Sequence, residues 1–562
     1  MKKYLYGVAA TLVMMSAASC SDFLERAPED ALSPASFWQS ESDAYLALTG
    51  CYNGLNYIYH SADWVGYNAI YMDCLSDDYF AYFSWEGRLV LTTGNLTANN
   101  TGTSFFQFSD IRACNEYLES EGNVSWDSEA TEAQYKAEVR TIRALLYLYR
   151  SEYYGDFPLI TSTIDDPGDS YVSRTPVSEV RSFIVKELEE SIPYLPERSE
   201  VTQGRICKQF AQGLLMRYYL WRSDYANAAK YAREIVEHGG LTLASNYADM
   251  FLEGNQYDAE TIFDFSFIAN TSRDVYGNPF VANGGLGGWS SVVPTVDLMD
   301  EFECIDGKPI DESPLYDATR PFLNRDPRLR ASIVYPGQPY PGYGDGTTKG
   351  GYRSVYNSMP KAIDGSNNPD YWSNAGNASK SGLQLGKYFQ AANVTSAGLS
   401  HMTLHFKAMR LAEAILTLAE CDIEQNSNLQ EAANLINQIR ERAGMPDITV
   451  SDQATMREQV RRERRVELNG EGLRRFDLVR WKSADGTPYI VEKFNNFSIE
   501  HLDGDLLNEQ DANGDYIANV TGRSADAYNS ANYQSYKPYQ VLFPIGQGTL
   551  DVNPNLEQNP GY

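Results

Sequence analysis

The sequence predicts a mainly α-helical protein in which tetratricopeptide-like helix pairs form a scaffold for long irregular loops. Two observations carry that expectation. Apolar and aromatic residues recur at helical spacing in long runs near both ends of the chain, and alanine-rich runs recur in pairs. Between them, over 241–400, Gly, Pro, Asn, Ser and Tyr dominate stretches such as "NGGLGGWSSVVP" and "YPGQPYPGYGDGTTKGGYRSVYN", which fit neither the helical nor the strand period.

The chain opens with Lys2 and Lys3, then an uncharged, mostly apolar run over 4–18 that ends in the small residues of "SAASCSDFLE". A basic head followed by an apolar segment too short to span a bilayer is an export signal. A cysteine placed directly after the small residues resembles a bacterial lipobox, so Cys20 is the expected site of lipid attachment, holding the chain to a membrane by buried acyl chains. No later stretch reaches the roughly 18 uninterrupted apolar residues that a membrane-spanning helix needs.

Over 130–154 the sequence "ATEAQYKAEVRTIRALLYLYRSEYY" places Ala137, Ile142, Leu145, Leu146 and Tyr149 on one broad helical face, and "GDFP" stops the run. A second helix is expected from "TPVSEVRSFIVKELEESIPYL", with Thr175 or Ser178 as cap and Pro176 in the first turn. Two more follow, separated at Ser223 and Asp224 and ending at Gly239 and Gly240, with Ala226, Ala228, Ala229 and Ala232 small enough for close packing. A further pair stands at "RLAEAILTLAECDIEQ" and "NLQEAANLINQIRERAG". Such recurrence describes a degenerate solenoid, which is a scaffold without a stated task. Long loops are where binding residues concentrate.

Composition excludes several functions. The formal charge of −29 argues against binding a phosphate backbone, which requires clustered Lys and Arg, so no nucleic acid partner is expected and ligands are neutral or locally complementary. Six cysteines remain after Cys20, at positions 51, 74, 114, 207, 304 and 421, with no C-x-x-C pair, and they read as buried free thiols. His401 and His405 share helical spacing in "HMTLH" but lack the glutamate of a metalloprotease helix. No nucleophile elbow or phosphate loop occurs. A glycosidase needs two carboxylates about 5–10 Å apart, which 75 acidic residues do not exclude. In "DANGDYIAN", Asp511, Asn513 and Asp515 match the first ligand spacings of a calcium loop, while Tyr516 and Gly522 stand where its glycine and bidentate glutamate belong. Structural calcium near Asp511 is the one cofactor the sequence suggests.

The charge-dense run over 461–481 interleaves acids and aromatics. Glu458 and Arg462 are spaced for a helical ion pair, and Val466, Leu473, Phe476 and Trp481 are apolar anchors, so the element is structural and Glu467 matters for stability.

That run also carries a family resemblance. "ERRVELNGEGLRRFDLVRW" resembles the ERR-E-L-x-x-EG-x-R-x-x-DL-x-RW segment of the RagB/SusD family of Bacteroidetes outer-membrane lipoproteins. In the same order, "RALLYLYRSEYYGDFPLI", "RLAEAILTLAECDIEQ", "NLINQIRERAG" and "LFPIGQGTLDVNPNLEQNPGY" resemble further family segments, the last departing at Gly546 and over 549–550. The resemblance implies a single globular SusD-like fold, divided as a lipoprotein signal peptide over 1–19, an N-terminal part over 20–240, a loop-rich binding part over 241–400 and a C-terminal part over 401–562. It further implies a lipid anchor at Cys20 in the outer membrane, facing the extracellular side. The implied activity is capture of oligosaccharide or polysaccharide for a partner TonB-dependent transporter of the SusC type, without catalysis. A peptide-binding uptake lipoprotein of the same fold, or a glycoside hydrolase, is the alternative.

Sugars present C–H faces and a belt of hydroxyls, so a binder needs exposed aromatic rings and hydrogen-bonding side chains. Two segments supply both. The stretch "DWVGYNAIYMDCLSDDYFAYFSWEG" offers Trp64, Tyr67, Asp77, Asp78, Tyr82 and Trp85, and the loop-rich middle offers Trp289, Tyr343 and Trp372.

Overall fold

A computed structural model describes residues 37–562 except 60–67, 84–88, 104, 269–274, 276, 283–286, 341–354, 362–364, 369–370, 374–375, 390–401, 497 and 525–535. Cys20, Trp64, Tyr67, Trp85, Tyr343 and His401 lie outside the described residues.

The first helix, α1 (Glu41–Tyr52), is opened by a reciprocal capping box between Ser40 and Asp43. It packs on α2 (Ser109–Ser120) and on α3 (Glu129–Tyr154). Helix α3 begins at the Ser128 cap and stops at Gly155, whose φ of 70° is left-handed. The predicted face of α3 is buried, and from Ala137 to Ser151 nearly every side chain is, because the C-terminal half runs through the core. Helix α4 (Val177–Ser191) pairs with α3. Neither Thr175 nor Ser178 caps it: the carboxylate of Asp156 accepts from the Val177 amide at 2.8 Å, so a residue distant in sequence satisfies the free N–H.

Helices α5 (Lys208–Leu220) and α6 (Tyr225–His238) form the expected hairpin, turning at Ser223 with φ of 57° and capped by Asp224. The last helical pair is α7 (Leu411–Glu424) and α8 (Leu429–Ala443), followed by α9 (Gln453–Leu468) and the short α10 (Arg474–Arg480). Helix α7 is buried on every face from Leu411 to Ile423 and packs against α6, α8 and α9. A helix buried all round must lie inside, and of the three carboxylates it buries two are closely paired, Glu413 with Arg217 at 2.7 Å and Glu420 with both arms of Arg480 at 2.6 Å, while Asp422 stands 3.8 Å from Arg233.

Strands come in antiparallel pairs: β1 (Tyr79–Ala81) with β3 (Val292–Pro294), β2 (Thr261–Phe265) with β6 (Phe406–Arg410), β4 (Ile333–Val334) with β5 (Gln384–Leu385), and β7 (His501–Gln510) with β8 (Tyr516–Ser524). The protein is mainly α, with these small ladders stitching its loops to the helices. A continuous apolar core runs from Trp38 to Ile545.

Two expectations about polar residues are corrected, and the 511–515 stretch is placed. Glu458 pairs with Arg461, and Arg462 reaches Glu301 and Glu303 instead, because the charged face of α9 meets another part of the chain. His405 lies in an extended segment before β6, hydrogen-bonded to Asp264 at 2.8 Å, so the helical spacing of the two histidines has no structural counterpart there. The 511–515 stretch is the β7–β8 turn, where Asp511 accepts from the amides of Asn513 and Asp515, and Asp515 is held by two hydrogen bonds from Arg330 at 2.7 and 2.8 Å. The carboxylates of Asp511 and Asp515 thus bond within the chain, and among the described residues no group of three His, Cys, Asp or Glu is placed to hold a metal. All six cysteines after Cys20 are buried free thiols.

Candidate functional site

The short β1–β3 ladder pairs Tyr79 with Pro294 and Ala81 with Val292. That register brings the residues leaving β1, Tyr82 and Phe83, beside those entering β3, which include Trp289. The Trp289 segment is tightly seated: its amide donates to the Asn278 carbonyl at 2.7 Å, and the Ser290 amide donates to the Val281 carbonyl at 3.0 Å. Gly288 is required here, since a Cβ would stand 2.2 Å from the Val281 carbonyl oxygen. Ser290 takes a φ of 50°, unusual for a residue with a side chain, and its hydroxyl accepts from Gln384 at 2.8 Å. Trp289 itself is half-buried.

A second loop approaches from 371–380. Tyr371 and Trp372 are both half-buried with ring centroids 5.8 Å apart, and both pack on His501 at the start of β7, at 5.5 and 5.7 Å. The Tyr371 hydroxyl donates to Asp503 at 2.7 Å. Gly382, with φ of 80°, lets the chain pass close to His501, whose Nε2 would lie 3.2 Å from a Cβ there. The Tyr82 hydroxyl donates to the Gly376 carbonyl at 2.8 Å, and the Lys380 ammonium lies 5.1 Å from the Tyr82 ring centre while donating to the Trp372 carbonyl at 3.2 Å. Tyr82, Trp289 and Trp372, far apart in sequence, therefore belong to one neighbourhood.

His501 is buried, and neither ring nitrogen has a hydrogen-bond partner; Asp503 stands 3.6 Å from Nδ1. Burial pushes its pKa down to about 4, against the opposing pull of Asp503. Burial likewise lowers Lys380.

Three sequence-predicted ligand contacts have other work. Tyr82 is buried beneath Lys380 rather than presented as a platform. Asp77 and Asp78 are also buried, and they are held by α9 and α10: Arg474 grips Asp77 with bonds of 2.8 and 2.9 Å, and Arg465 donates to Asp78 at 2.7 Å. Burial pushes the Asp78 carboxyl up to about 6, whereas in Asp77 Arg465 and Arg474 outweigh burial and hold the carboxyl well below the usual range. Their carbonyls accept from the Thr295 hydroxyl at 2.7 Å and the Thr295 amide at 2.9 Å, which fixes the entry to β1 against the end of β3. These aspartates position the ladder and are not available to a ligand.

Sequence reasoning passed over Tyr371, Lys380 and His501. Tyr371 was the accessible one, standing directly before Trp372 in "DYWSN". The lysine and the histidine carry no local signal, since their significance arises only where β7 meets the 371–380 loop.

A profile described as the SusD family matches residues 250–562. The chain is 25% identical over 602 aligned positions to a SusD-like protein of Bacteroides ovatus, covering 100% of this chain and 98% of the relative. It is 25% identical to the starch-binding protein SusD of Bacteroides thetaiotaomicron, covering 81% of this chain and 77% of that protein. The crystal structure of a SusD-like carbohydrate-binding protein from Bacteroides fragilis superposes with a TM-score of 0.76 at 28% identity, covering 93% of this chain and 100% of the other.

Proposed function

This chain belongs to the SusD family, and on that footing we propose that it is a cell-surface glycan-binding lipoprotein, anchored through Cys20, that captures oligosaccharide or polysaccharide for a SusC-like TonB-dependent transporter. One observation carries the reading: the half-buried rings of Tyr371 and Trp372 and the segment bearing half-buried Trp289 both meet Tyr82, on loops held by buried ladders and helices. Half-buried rings on rigid supports suit the C–H face of a sugar, because the ring is ordered before the ligand arrives and little conformational entropy is lost on stacking. The relatives named for starch or carbohydrate binding support the ligand class. Among the described residues no helix is long and apolar enough to cross a membrane, which accords with attachment by lipid. Trp64, Tyr67, Trp85 and Tyr343 remain proposed contributors.

Native gel electrophoresis through immobilised polysaccharides tests this reading. The protein is expected to be retarded by at least one polysaccharide without releasing reducing ends. Loss of a stacking face in Trp289→Ala or Trp372→Ala should weaken affinity about ten- to a hundredfold, by analogy with bases stacked on aromatic side chains. Retardation by no polysaccharide, or equal retardation of both folded variants, overturns it; reducing-end release points to a hydrolase.

A further inference from the structure

The aromatic neighbourhood holds an ammonium that no carboxylate among the described residues pairs with. Lys380 is half-buried and spends one donor on the Trp372 carbonyl; among the described residues no carboxylate neutralises it. The contrast with other inward lysines is sharp: Lys387 pairs with Glu471 at 2.5 Å, and Lys407 with Asp258 at 2.9 Å. Beside Lys380, the fully buried His501 has no partner within hydrogen-bond distance of either ring nitrogen, Asp503 standing 3.6 Å from Nδ1. A neutral imidazole carries one N–H and one bare nitrogen, so His501 offers one donor and one acceptor in either tautomer. Among the described residues the carboxylate at hand is Asp503, already used by the hydroxyls of Tyr371 and Ser524. An ammonium half removed from water and left without a counter-charge is costly, and a ligand that supplies the missing acceptor recovers that cost.

We propose that this surface takes an acidic carbohydrate, with the sugar ring against Trp372 and Tyr371 and a carboxylate or sulfate oxygen on the Lys380 ammonium. The proposal rests on the glycan-binding reading and narrows it. It also reconciles such a ligand with a chain of net charge −29, because the Debye length of about 8 Å at physiological salt confines the competing surface charges to short range while a half-buried lysine in contact is screened less. Lys380 acts as a single local cation, so the dependence on salt should be that of one ion pair and not the steep slope of a polycation.

The test uses affinity gels of polygalacturonate, alginate and chondroitin sulfate against neutral laminarin, starch and galactan, with polyglutamate as a non-sugar polyanion. The expected result is retardation by at least one acidic polysaccharide. Lys380→Met should weaken it about tenfold or more, as for a hydrogen bond to a charged group, and Lys380→Arg should keep most of it. Carboxyl-reduced polygalacturonate and desulfated chondroitin then tell which anion is read. Retardation by neutral polymers alone, acidic binding unchanged in Lys380→Met, or equal retardation by polyglutamate overturns the proposal while leaving a binding surface in place. Retardation by none of these polymers overturns the glycan reading beneath it as well. Thermal melts of both variants show whether a loss reflects unfolding, and a folded Lys380→Arg that binds while a folded Lys380→Met does not is decisive.

Discussion

Replacing Glu467 with alanine should damage the fold far more than the binding surface. Its carboxylate is fully buried in α9, with Oε1 accepting from Arg410 at 2.6 Å and from Arg442, and Oε2 accepting from Arg328 at 3.0 Å. Burial alone would favour the neutral acid, but the three arginines reverse that and hold the carboxyl well below the usual range. Alanine removes the shared partner. Arg410 keeps Glu260 and Glu471, Arg442 keeps Glu260, and Arg328 keeps Asp326 and Glu463, so no guanidinium is left wholly unpaired. The cost is therefore that of breaking one buried pair, about 3–5 kcal/mol, and not three times that. With an unfolding entropy of about 2.1 cal/mol/K per residue over the whole chain, the melting midpoint should fall by about 3–4 °C. Differential scanning calorimetry reads the shift, and affinity gels read binding. A variant that melts with the parent yet no longer binds would refute the reasoning, because it would place Glu467 at the ligand instead of in the scaffold.

His501 gives a pH signature. A histidine held neutral by the fold contributes its stability in full above about pH 6.5 and loses it as pH falls toward 4, because the unfolded chain takes up the proton first. By pH 5 the loss should be about 2 kcal/mol; His501→Leu should remove that component, so the gap between the urea curves of parent and variant must change between pH 7 and pH 5, and a constant gap counts against it. Gly288→Ala should leave the helical scaffold intact but displace the Trp289 segment, since the new Cβ would meet the Val281 and Ala282 carbonyl oxygens at 2.2 and 2.5 Å. Its affinity for whichever polysaccharide retards the parent should drop about tenfold or more, and unaltered affinity would detach binding from that segment. Cys20→Ala should yield a folded protein that stays in the aqueous phase of a detergent partition; continued detergent partition and palmitate labelling would exclude the anchor.

The helices were legible because their periods are local. Ser223 and Asp224 mark the α5–α6 turn in the sequence and do so in the fold, as do Gly239 and Gly240 at its end. The site was legible only in part. Trp289 and Trp372 could be named from their loop setting, whereas Asp77 and Asp78 were misread: an acidic pair among aromatics looks like a polar binding edge until Arg465 and Arg474, nearly 400 residues away, are seen to close on it. The α4 cap failed for the same reason, its true acceptor Asp156 being brought by chain reversal and not by adjacency. Lys380 was invisible because what distinguishes it is that no carboxylate among the described residues pairs with it, which no linear string records.

The grip of α9 and α10 on Asp77 and Asp78 also sets a timetable for the emerging chain. Those contacts join residues 387 and 397 positions apart, and Gly94 waits for Gln540, 446 positions on. Until the C-terminal helices have been delivered, the first third carries two carboxylates whose burial nothing offsets, so the segment leading into β1 cannot settle. Contacts of such high sequence separation form late and slowly, leaving apolar surface open to proteases and to self-association in the interval. A chain truncated before residue 460 should accordingly yield no stable N-terminal fragment, and the proposed binding surface is among the last parts of the protein to form.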